Sequence, residues 1–293
     1  MNSPTARTSE PELVVLPDPD AVAAEAAERI ADMLRESVEA RGRADWATTG
    51  GSAPVGIYRL LAVPPLRDRV PWQAVHLWWG DDRFVPRDHP QSNVMPANAV
   101  LLALSARAGL SGSGEDHDDV RTGRGAGAPI PVANIHPFPI AAAIGAGHDP
   151  AWAASGYETE LRASEIAVEG GWPVFDVVLI GIGPDGHLLS VFPGSPALDE
   201  ASAWALPIPA PTHVEPHVAR VTLNPRVLEV ARRVLVVAHG EGKAEILGAV
   251  LGPDRDPRRW PAQLARRRGA SWLVDRAAAG RLPGPSAAEA AGW

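Results

Sequence analysis

The sequence predicts an α/β fold in which a doubly wound, mostly parallel sheet is flanked by helices. Short apolar runs rich in β-branched residues, above all residues 175–180, are typical of strands buried on both faces. Stretches with helical periodicity follow several of these runs, and turns rich in glycine or acids separate the two. This repeated order of strand, turn and helix favours a parallel sheet, whose strand ends form the ligand-binding edge.

The first half of the chain alternates between strands and helices. We predict strands over residues 13–16, 45–49 and 75–79, each a short apolar segment. Residues 18–41 have the apolar spacing of an amphipathic helix, with acids near the start. A second helix is predicted to begin near Pro54, because proline suits a first helical turn.

The second half repeats the pattern around the strand at 175–180. Residues 151–168 are predicted to form a long helix before it. The later predicted elements are strands at 204–208, 218–223, 234–238 and 271–274, with helices at 224–230, at 240–251 and on either side of the last strand.

The predicted elements form a single domain with one insertion. We place the α/β domain at residues 13–283, with a disordered tail at 1–12 and a C-terminal tail at 284–293. Between about 105 and 133 Gly, Ala, Ser and Asp dominate, and apolar periodicity is missing. We therefore interpret this stretch as an exposed, flexible insertion.

Composition excludes several classes of protein. The 293 residues carry a formal net charge of −8, which argues against a broad nucleic-acid surface. Without cysteine there is no disulfide and no cysteine-ligated metal. No apolar run approaches the roughly 20 residues that span a bilayer, and the N-terminus lacks the apolar segment of a secretory signal. We expect a cytoplasmic protein that binds neither nucleic acid nor a membrane.

The loop after the strand at 175–180 carries the strongest chemical signal. Asp185 and His187 bring two titratable side chains to it. Gly183 and Gly186 allow the backbone to turn sharply and to approach a ligand closely. Because this loop follows a buried parallel strand, it lies where α/β proteins bind ligands.

The same loop has a second interpretation as a dinucleotide site. Gly181, Gly183 and Gly186 match the pattern G-x-G-x-x-G, which requires a following helix and then a strand ending in an acid about 20 residues on. Residues 188–191 are predicted to begin a helix, but Pro-Gly-Ser-Pro at 193–196 breaks it. We therefore do not predict a nicotinamide or flavin site.

Two other strand ends carry candidate ligands. Gly50, Gly51 and Ser52 lie between a strand and a helix, where free backbone N–H groups suit a phosphate, although an ordinary turn has the same sequence. Asp81 and Arg83 follow the strand at 75–79. Arg83 either binds a phosphate or a developing oxyanion, or it forms a structural ion pair with the acids beside it. We expect these turns and the loop near residue 185 to converge at one edge of the sheet.

Several blocks of the sequence together resemble one enzyme family. They are TTGGSAP, HLWWGDDRFVPRDHPQSN, FDVVLIGIGPDGHLLSVFPGSPAL, RVTLN, ARRVLVVAHGEGKAEIL, WPAQLA and SWLVDRAAA. In this order they resemble 6-phosphogluconolactonases over most of the chain. The resemblance implies the fold of sugar-phosphate isomerases and deaminases, and hydrolysis of 6-phospho-D-glucono-1,5-lactone to 6-phospho-D-gluconate in the oxidative pentose phosphate pathway. It implies a small phosphorylated sugar lactone as the partner and no metal or organic cofactor.

The resemblance also implies roles for individual residues. It assigns the general base to His187, and an imidazole, with an ordinary pKa of about 6.5, can take a proton from water near neutral pH. The alternative role of His187 is to cap the following helix. Asp185 orients His187 or a sugar hydroxyl, or else it forms an Asx-turn. Arg83 is the third predicted catalytic residue. The predicted substrate-binding residues are Gly50, Gly51, Ser52, Asp81, Arg83, Ser92, Asn93, Gly183, Gly186 and Arg220. Ser92 or Asn93 has the alternative role of capping a helix.

The chain departs from the family pattern at the phosphate. The family commonly has a lysine shortly before its RVT block, but the segment PAPTHVEPHVARVT has none. Arg220, a protonated His213 or nothing replaces that charge. Asp82 stands where glutamate is usual and places Arg83 differently. Lys243 matches a family lysine, but we predict a structural role because it lies at a helix start, away from the three turns.

Two other functions compete with lactone hydrolysis. Glucosamine-6-phosphate deaminases are similar in fold and have a GxGxDGH loop, which a phenylalanine-asparagine-glutamate-proline segment follows. This chain continues with LLSVFPGSP and lacks the acid just after the histidine. The second competitor is a non-enzymatic sugar-phosphate sensor. A protein that only binds a sugar phosphate needs no general base, so the presence of His187 and Arg83 argues against it. We expect a monomer or a homodimer.

Overall fold

A seven-stranded parallel sheet forms the centre of the molecule. The computed structural model describes residues 10–51, 53–103 and 127–282. The strands are β1 Glu12–Leu16, β2 Ala44–Thr48, β3 Val75–Trp79, β4 Asp81–Arg83, β5 Ile135–His136, β6 Val168–Glu169, β7 Trp172–Pro173, β8 Val177–Gly181, β9 Ala205–Ile208, β10 Arg220–Leu223, β11 Arg233–Ala238 and β12 Ala270–Asp275. The central sheet has the order β1-β12-β11-β8-β2-β3-β5, and all its pairs are parallel.

Helices connect these strands and cover the sheet. They are α1 Pro19–Arg41, α2 Ala53–Leu61, α3 Leu66–Arg69, α4 Val94–Pro96, which continues as a π-helical turn at Ala97–Leu101, α5 Ile140–Gly145, α6 Pro150–Ala163, α7 Val227–Val230 and α8 Ala244–Leu251. The predicted α/β class and parallel sheet are confirmed. Among the residues with described positions, no helix is long and apolar enough to cross a membrane.

Helix α1 shows how the sequence specifies this architecture. Asp18 caps its N-terminus by accepting a hydrogen bond from the backbone N–H of Ala21, and Gly42 ends it in the left-handed conformation. Its buried face includes Ala27 and Ile30, which have no exposed area. Small side chains allow the helix to pack closely on the sheet.

A smaller antiparallel sheet lies beside the ends of the central strands. It has the order β4-β10-β9, so the predicted strands at 204–208 and 218–223 form outside the central sheet. In this ladder Arg220 lies directly opposite Arg83. The small sheet therefore brings two arginines together that are 137 positions apart in the chain.

Two helix predictions are wrong, one at its C-terminal boundary and one entirely. The helix predicted over 151–168 ends at Ala163, and Ile166 is buried in the connection that follows it. No helix begins at 188–191. There Leu189 has a positive φ of 53° and Leu188 forms an isolated bridge with Val191, so the chain turns back on itself instead.

The predicted insertion and tails are only partly within the described residues. Residues 104–126 of the predicted insertion, and the segments 1–9 and 283–293, lie outside them. The end of the insertion, 127–133, is described, and there Ala128 and Ile130 are buried in the core. The prediction of an exposed stretch is therefore wrong for these two side chains, whereas Pro129, Val132 and Ala133 are exposed as predicted.

Candidate active site

A cleft opens at the carboxyl edge of the central sheet. Its volume is about 570 Å³. The turns after β2, β3, β8 and β11 border it, together with residues 213–215 of the connection between β9 and β10. Because these strands are parallel, their carboxyl ends meet at the same edge. The predicted convergence of the turns near residues 50, 81 and 185 is therefore observed.

The imidazole of His187 packs against Gly183 of its own loop. The backbone N–H of Gly183 donates to the carbonyl of His187 at 2.8 Å and closes the turn. A β-carbon added to Gly183 would lie 2.1 Å from Nδ1 of His187. The imidazole can therefore occupy this position only because residue 183 has no side chain.

Asp185 lies between two imidazoles. Its Oδ1 is 2.5 Å from Nδ1 of His187, and its Oδ2 is 2.9 Å from Nε2 of His213. Burial opposes ionisation of Asp185, but the hydrogen bonds from His187 and His213 outweigh it and hold the pKa of the carboxyl well below its usual range. An ionised carboxylate only accepts, so His187 donates from Nδ1. Its Nε2, which no described residue binds, then carries the lone pair.

A second network fixes Arg83 beside the first turn. Nη1 of Arg83 donates to Oδ1 of Asn93 at 2.7 Å and to the carbonyl of Gln91 at 3.0 Å. The amide nitrogen of Asn93 donates to the carbonyl of Asp81 at 2.9 Å. A β-carbon on Gly50 would be 1.9 Å from Oδ1 of Asn93, so this glycine makes room for the amide. The guanidinium is thus held by neutral oxygens.

The two acids before Arg83 support the loop and form no ion pair with its guanidinium. Asp82 accepts from the backbone N–H groups of Arg83 and Asn93 at 2.8 and 2.6 Å, and from the hydroxyl of Ser92 at 3.2 Å. Burial raises the pKa of Asp82 to about 7 in spite of these bonds. Asp81 accepts from the hydroxyl of Ser190 at 2.6 Å. Of the two alternatives for Arg83, the ion pair with the acids beside it is therefore not observed.

Three cations line the cleft without a partner carboxylate. Within the described residues, no carboxylate lies within 4.0 Å of the charged nitrogens of Arg83, Arg220 or Lys243. Lys243 donates from Nζ to the carbonyl of Ile182 at 2.7 Å, and desolvation lowers its pKa. Burial likewise lowers the pKa of Arg220, which is 2% exposed. Although Asp81 and Glu215 also line the cleft, these three cations are free of salt bridges to the described residues and can bind an anion.

The ladder position of the two arginines supports the same conclusion. Like charges directly opposite each other in an antiparallel pair are destabilising. Arg83 and Arg220 are such a pair, and the Nε atom of each is buried without a hydrogen-bond partner among the described residues. A bound anion would offset this repulsion.

Comparison with known proteins identifies the family. The model of the glucosamine-6-phosphate isomerases/6-phosphogluconolactonase family matches residues 17–274. The chain belongs to this family. A family member from Mycobacterium tuberculosis, a 6-phosphogluconolactonase, is 34% identical over 271 residues, which are 92% of this chain and 97% of that protein. Another 6-phosphogluconolactonase, from Synechocystis, is 33% identical over 85% of this chain and 89% of its own length.

Solved structures of the family have the same fold. The 6-phosphogluconolactonase of Trypanosoma brucei matches with a TM-score of 0.74 and 27% identity, over 94% of this chain and all of that one. A monomeric glucosamine-6-phosphate deaminase matches with a TM-score of 0.67 at 17% identity, over 92% and 99% of the two chains. At this identity the second likeness shows a shared fold alone.

Most of the predicted site residues lie on the cleft of this family member. Those that line it are Gly50, Gly51, Asp81, Arg83, Asn93, Gly183, His187 and Arg220. Ser52 lies outside the described residues. Ser92, Asp185 and Gly186 do not line the cleft. The hydroxyl of Ser92 binds Asp82, and Asp185 contacts Nδ1 of His187. Gly186 packs against Trp260. For Ser92 and Gly186 direct substrate binding is therefore corrected to a supporting position.

Sequence reasoning misplaced Lys243, and it named His213 only as one candidate for the missing phosphate-binding charge, without its contact to Asp185. Lys243 was predicted to lie away from the three turns, and this is wrong, because its ammonium group binds the loop that leads to His187. A signal was present, since Lys243 follows the buried strand β11, whose carboxyl end meets the same edge. His213 had no comparable signal, because its place depends on the folding of a long connection onto Asp185.

Replacing Gly183 by alanine is expected to displace the imidazole of His187 and to lower kcat about a hundredfold, because a misplacement of about 1 Å has that effect. The β-carbon would overlap Nδ1 at 2.1 Å. Steady-state kinetics on the phosphorylated lactone measure this. Gly145→Ala is the matched control, since its β-carbon meets nothing within 4 Å. Unchanged kcat in Gly183→Ala would contradict the packing argument.

Proposed function

We propose that this protein hydrolyses 6-phospho-D-glucono-1,5-lactone to 6-phospho-D-gluconate. The observation that carries this proposal is the combination, in one cleft, of a carboxylate-bound histidine and three cations without ion pairs. The histidine can activate water, and the three cations can hold a phosphate dianion. Curated relatives at about a third identity over most of the chain, which are 6-phosphogluconolactonases, support the same reaction.

In the proposed mechanism His187 acts first as a base and then as an acid. Nε2 takes a proton from a water molecule as its oxygen attacks the lactone carbonyl. The tetrahedral intermediate then expels the ring oxygen, which receives the proton from Nε2, and the ring opens to the carboxylic acid. Asp185 keeps Nδ1 protonated throughout and stabilises the imidazolium that forms between the two steps.

The phosphate of the substrate is proposed to bind the cations of the cleft. Arg83 and Arg220 are fixed by the small sheet, and Lys243 reaches the cleft from the other side of the His187 loop. The turn at Gly50 and Gly51 precedes α2, and the first backbone N–H groups of a helix have no partner within the helix and can donate to an anion. Binding at a site remote from the carbonyl holds the lactone in place for attack.

Neither a metal nor an organic cofactor enters this proposal. A δ-lactone is an activated ester, so its hydrolysis requires only a deprotonated water, a stabilised oxyanion and a held substrate. A cytoplasmic location and a monomeric or homodimeric state stay predictions.

The test is a direct comparison of two reactions. Freshly prepared 6-phosphogluconolactone is mixed with the protein, and acid production is followed with spontaneous ring opening subtracted. We expect hydrolysis well above that background, together with no release of ammonia from glucosamine 6-phosphate. Ammonia release would assign the deaminase reaction instead. If both reactions were absent while 6-phosphogluconate still bound, the protein would be a sensor.

A further inference from the structure

The connection between β9 and β10 reaches back over the cleft and contacts the catalytic loop through one histidine. His213 lies in this connection, at residues 209–219, and its Nε2 is 2.9 Å from Oδ2 of Asp185. The other oxygen of the same carboxylate binds Nδ1 of His187 at 2.5 Å. One aspartate therefore joins a histidine of the catalytic loop to a histidine of a separate segment.

Apolar packing orients the two rings toward their shared carboxylate. The ring of Phe192 is 4.7 Å from that of His187 and 5.6 Å from that of His213, measured between centroids. The next residue along the connection, Val214, packs on the small apolar cluster that includes Phe192. Phe192 thus forms a common wall for both imidazoles.

Two side-chain hydrogen bonds attach this part of the connection to other described elements: the bond of His213 to Asp185, and the bond that Nη2 of Arg220 donates to the carbonyl of Pro216 at 3.0 Å. In the described part of the chain, the bond to Asp185 is the one side-chain hydrogen bond that joins residues 209–218 to the loop after β8. Glu215 and His217 are exposed and bind each other within the connection. Without His213, Asp185 would lose the donor on Oδ2 and the connection would lose this anchor.

We propose that His213 is a positioning residue for the hydrolysis. It donates from Nε2 to Oδ2 of Asp185. This bond holds the carboxylate in the orientation in which Oδ1 accepts from Nδ1 of His187. This inference rests on the proposed function, because it concerns the same reaction. It also means that His213 is not the replacement for the phosphate-binding lysine: its Nε2 already binds a carboxylate, whereas Arg220 and Lys243 have no such partner.

The test is a double-mutant cycle with a conservative rescue. His213→Ala is expected to lower kcat about tenfold with KM changed less than about twofold, since it loosens the base while the phosphate-binding cations stay in place. His213→Gln, whose amide can donate to Oδ2 from nearly the same place, is expected to regain most of the rate. In an Asp185→Asn background His213→Ala is expected to change kcat less than about twofold, because the carboxylate through which His213 acts on His187 is already missing. His217→Ala, in the same connection, is the matched control.

The possible results separate this inference from the proposed function. If His213→Ala raised KM and the Kd of 6-phosphogluconate while kcat stayed constant, in both backgrounds, His213 would be a phosphate ligand and the inference would be overturned. Equal rates for the alanine and glutamine variants would overturn it as well. Melting temperatures of all variants show whether a loss of rate reflects unfolding. Absence of lactone hydrolysis in the unmutated protein would contradict the function itself.

Discussion

Replacing His187 by alanine is expected to lower kcat for the phosphorylated lactone by a factor of about 10²–10⁴, the usual contribution of a general base. The Kd of 6-phosphogluconate should change little, because the cations that hold the phosphate belong to other elements. The remaining rate would come from a substrate that is still bound and oriented but faces an unactivated water. Stopped-flow measurement of acid release, corrected for spontaneous opening, determines kcat, and calorimetry determines the Kd.

Two controls make this experiment specific. Free imidazole is expected to restore part of the rate to His187→Ala, since the cavity left over Gly183 has the shape of the missing ring. His148→Ala, which removes an exposed histidine far along the chain, should keep full activity. A His187→Ala variant that hydrolysed the lactone at the normal rate would exclude this residue as the base.

The strands were predictable because their signal is local. Val75–Trp79 forms a strand at the predicted limits, since its apolar and aromatic residues fit a buried pleated segment and no competing pattern overlaps them. Helix ends were less predictable. The helix α6 stops at Ala163 although Ile166 continues its apolar spacing, because the chain must turn there toward the short strand β6.

The catalytic loop was also predictable from a local sequence signal, whereas the residues that contact it in the folded chain were not. Two of the contacts that the sequence suggested for Asp185 occur together: Oδ1 accepts from the backbone N–H of His187 at 3.2 Å, as in an Asx-turn, and from its ring. His213, in contrast, meets Asp185 only after β9 and β10 have paired with β4. No pattern within the connection indicates such a contact.

The grouping in the cleft of three cations that are unpaired among the described residues also arises from tertiary structure. Arginine is common in this chain, so no single arginine is informative in the sequence. Most of the arginines with described ion pairs lie on the surface, as Arg35 and Arg69 do. Arg83 and Arg220 differ because the register of β4 and β10 places them side by side, and no carboxylate of the described residues lies within 4.0 Å of either guanidinium. Strand register therefore brings two ordinary residues together as a candidate anion site.

Replacing Arg83 by alanine is expected to lower kcat/KM for the phosphorylated lactone roughly a hundredfold, mainly through KM. Removing one member of a desolvated charged pair costs about 2–5 kcal/mol, and each 1.4 kcal/mol is about a factor of ten. The Kd of 6-phosphogluconate should rise in parallel, which distinguishes this variant from His187→Ala. Arg87→Ala, four residues away and outside the cleft lining, is the matched control.

The unphosphorylated analogue, glucono-1,5-lactone, then decides what Arg83 binds. It has the same ester but no phosphate, so we expect Arg83→Ala to hydrolyse it at the slow rate of the unmutated protein. Arg83→Lys should recover part of the binding of the phosphorylated lactone, because it keeps the charge, although it cannot reproduce the fixed contacts to Gln91 and Asn93. An equal loss of rate on both lactones would instead place the guanidinium at the carbonyl, where it would stabilise the oxyanion and leave the phosphate to Arg220 and Lys243.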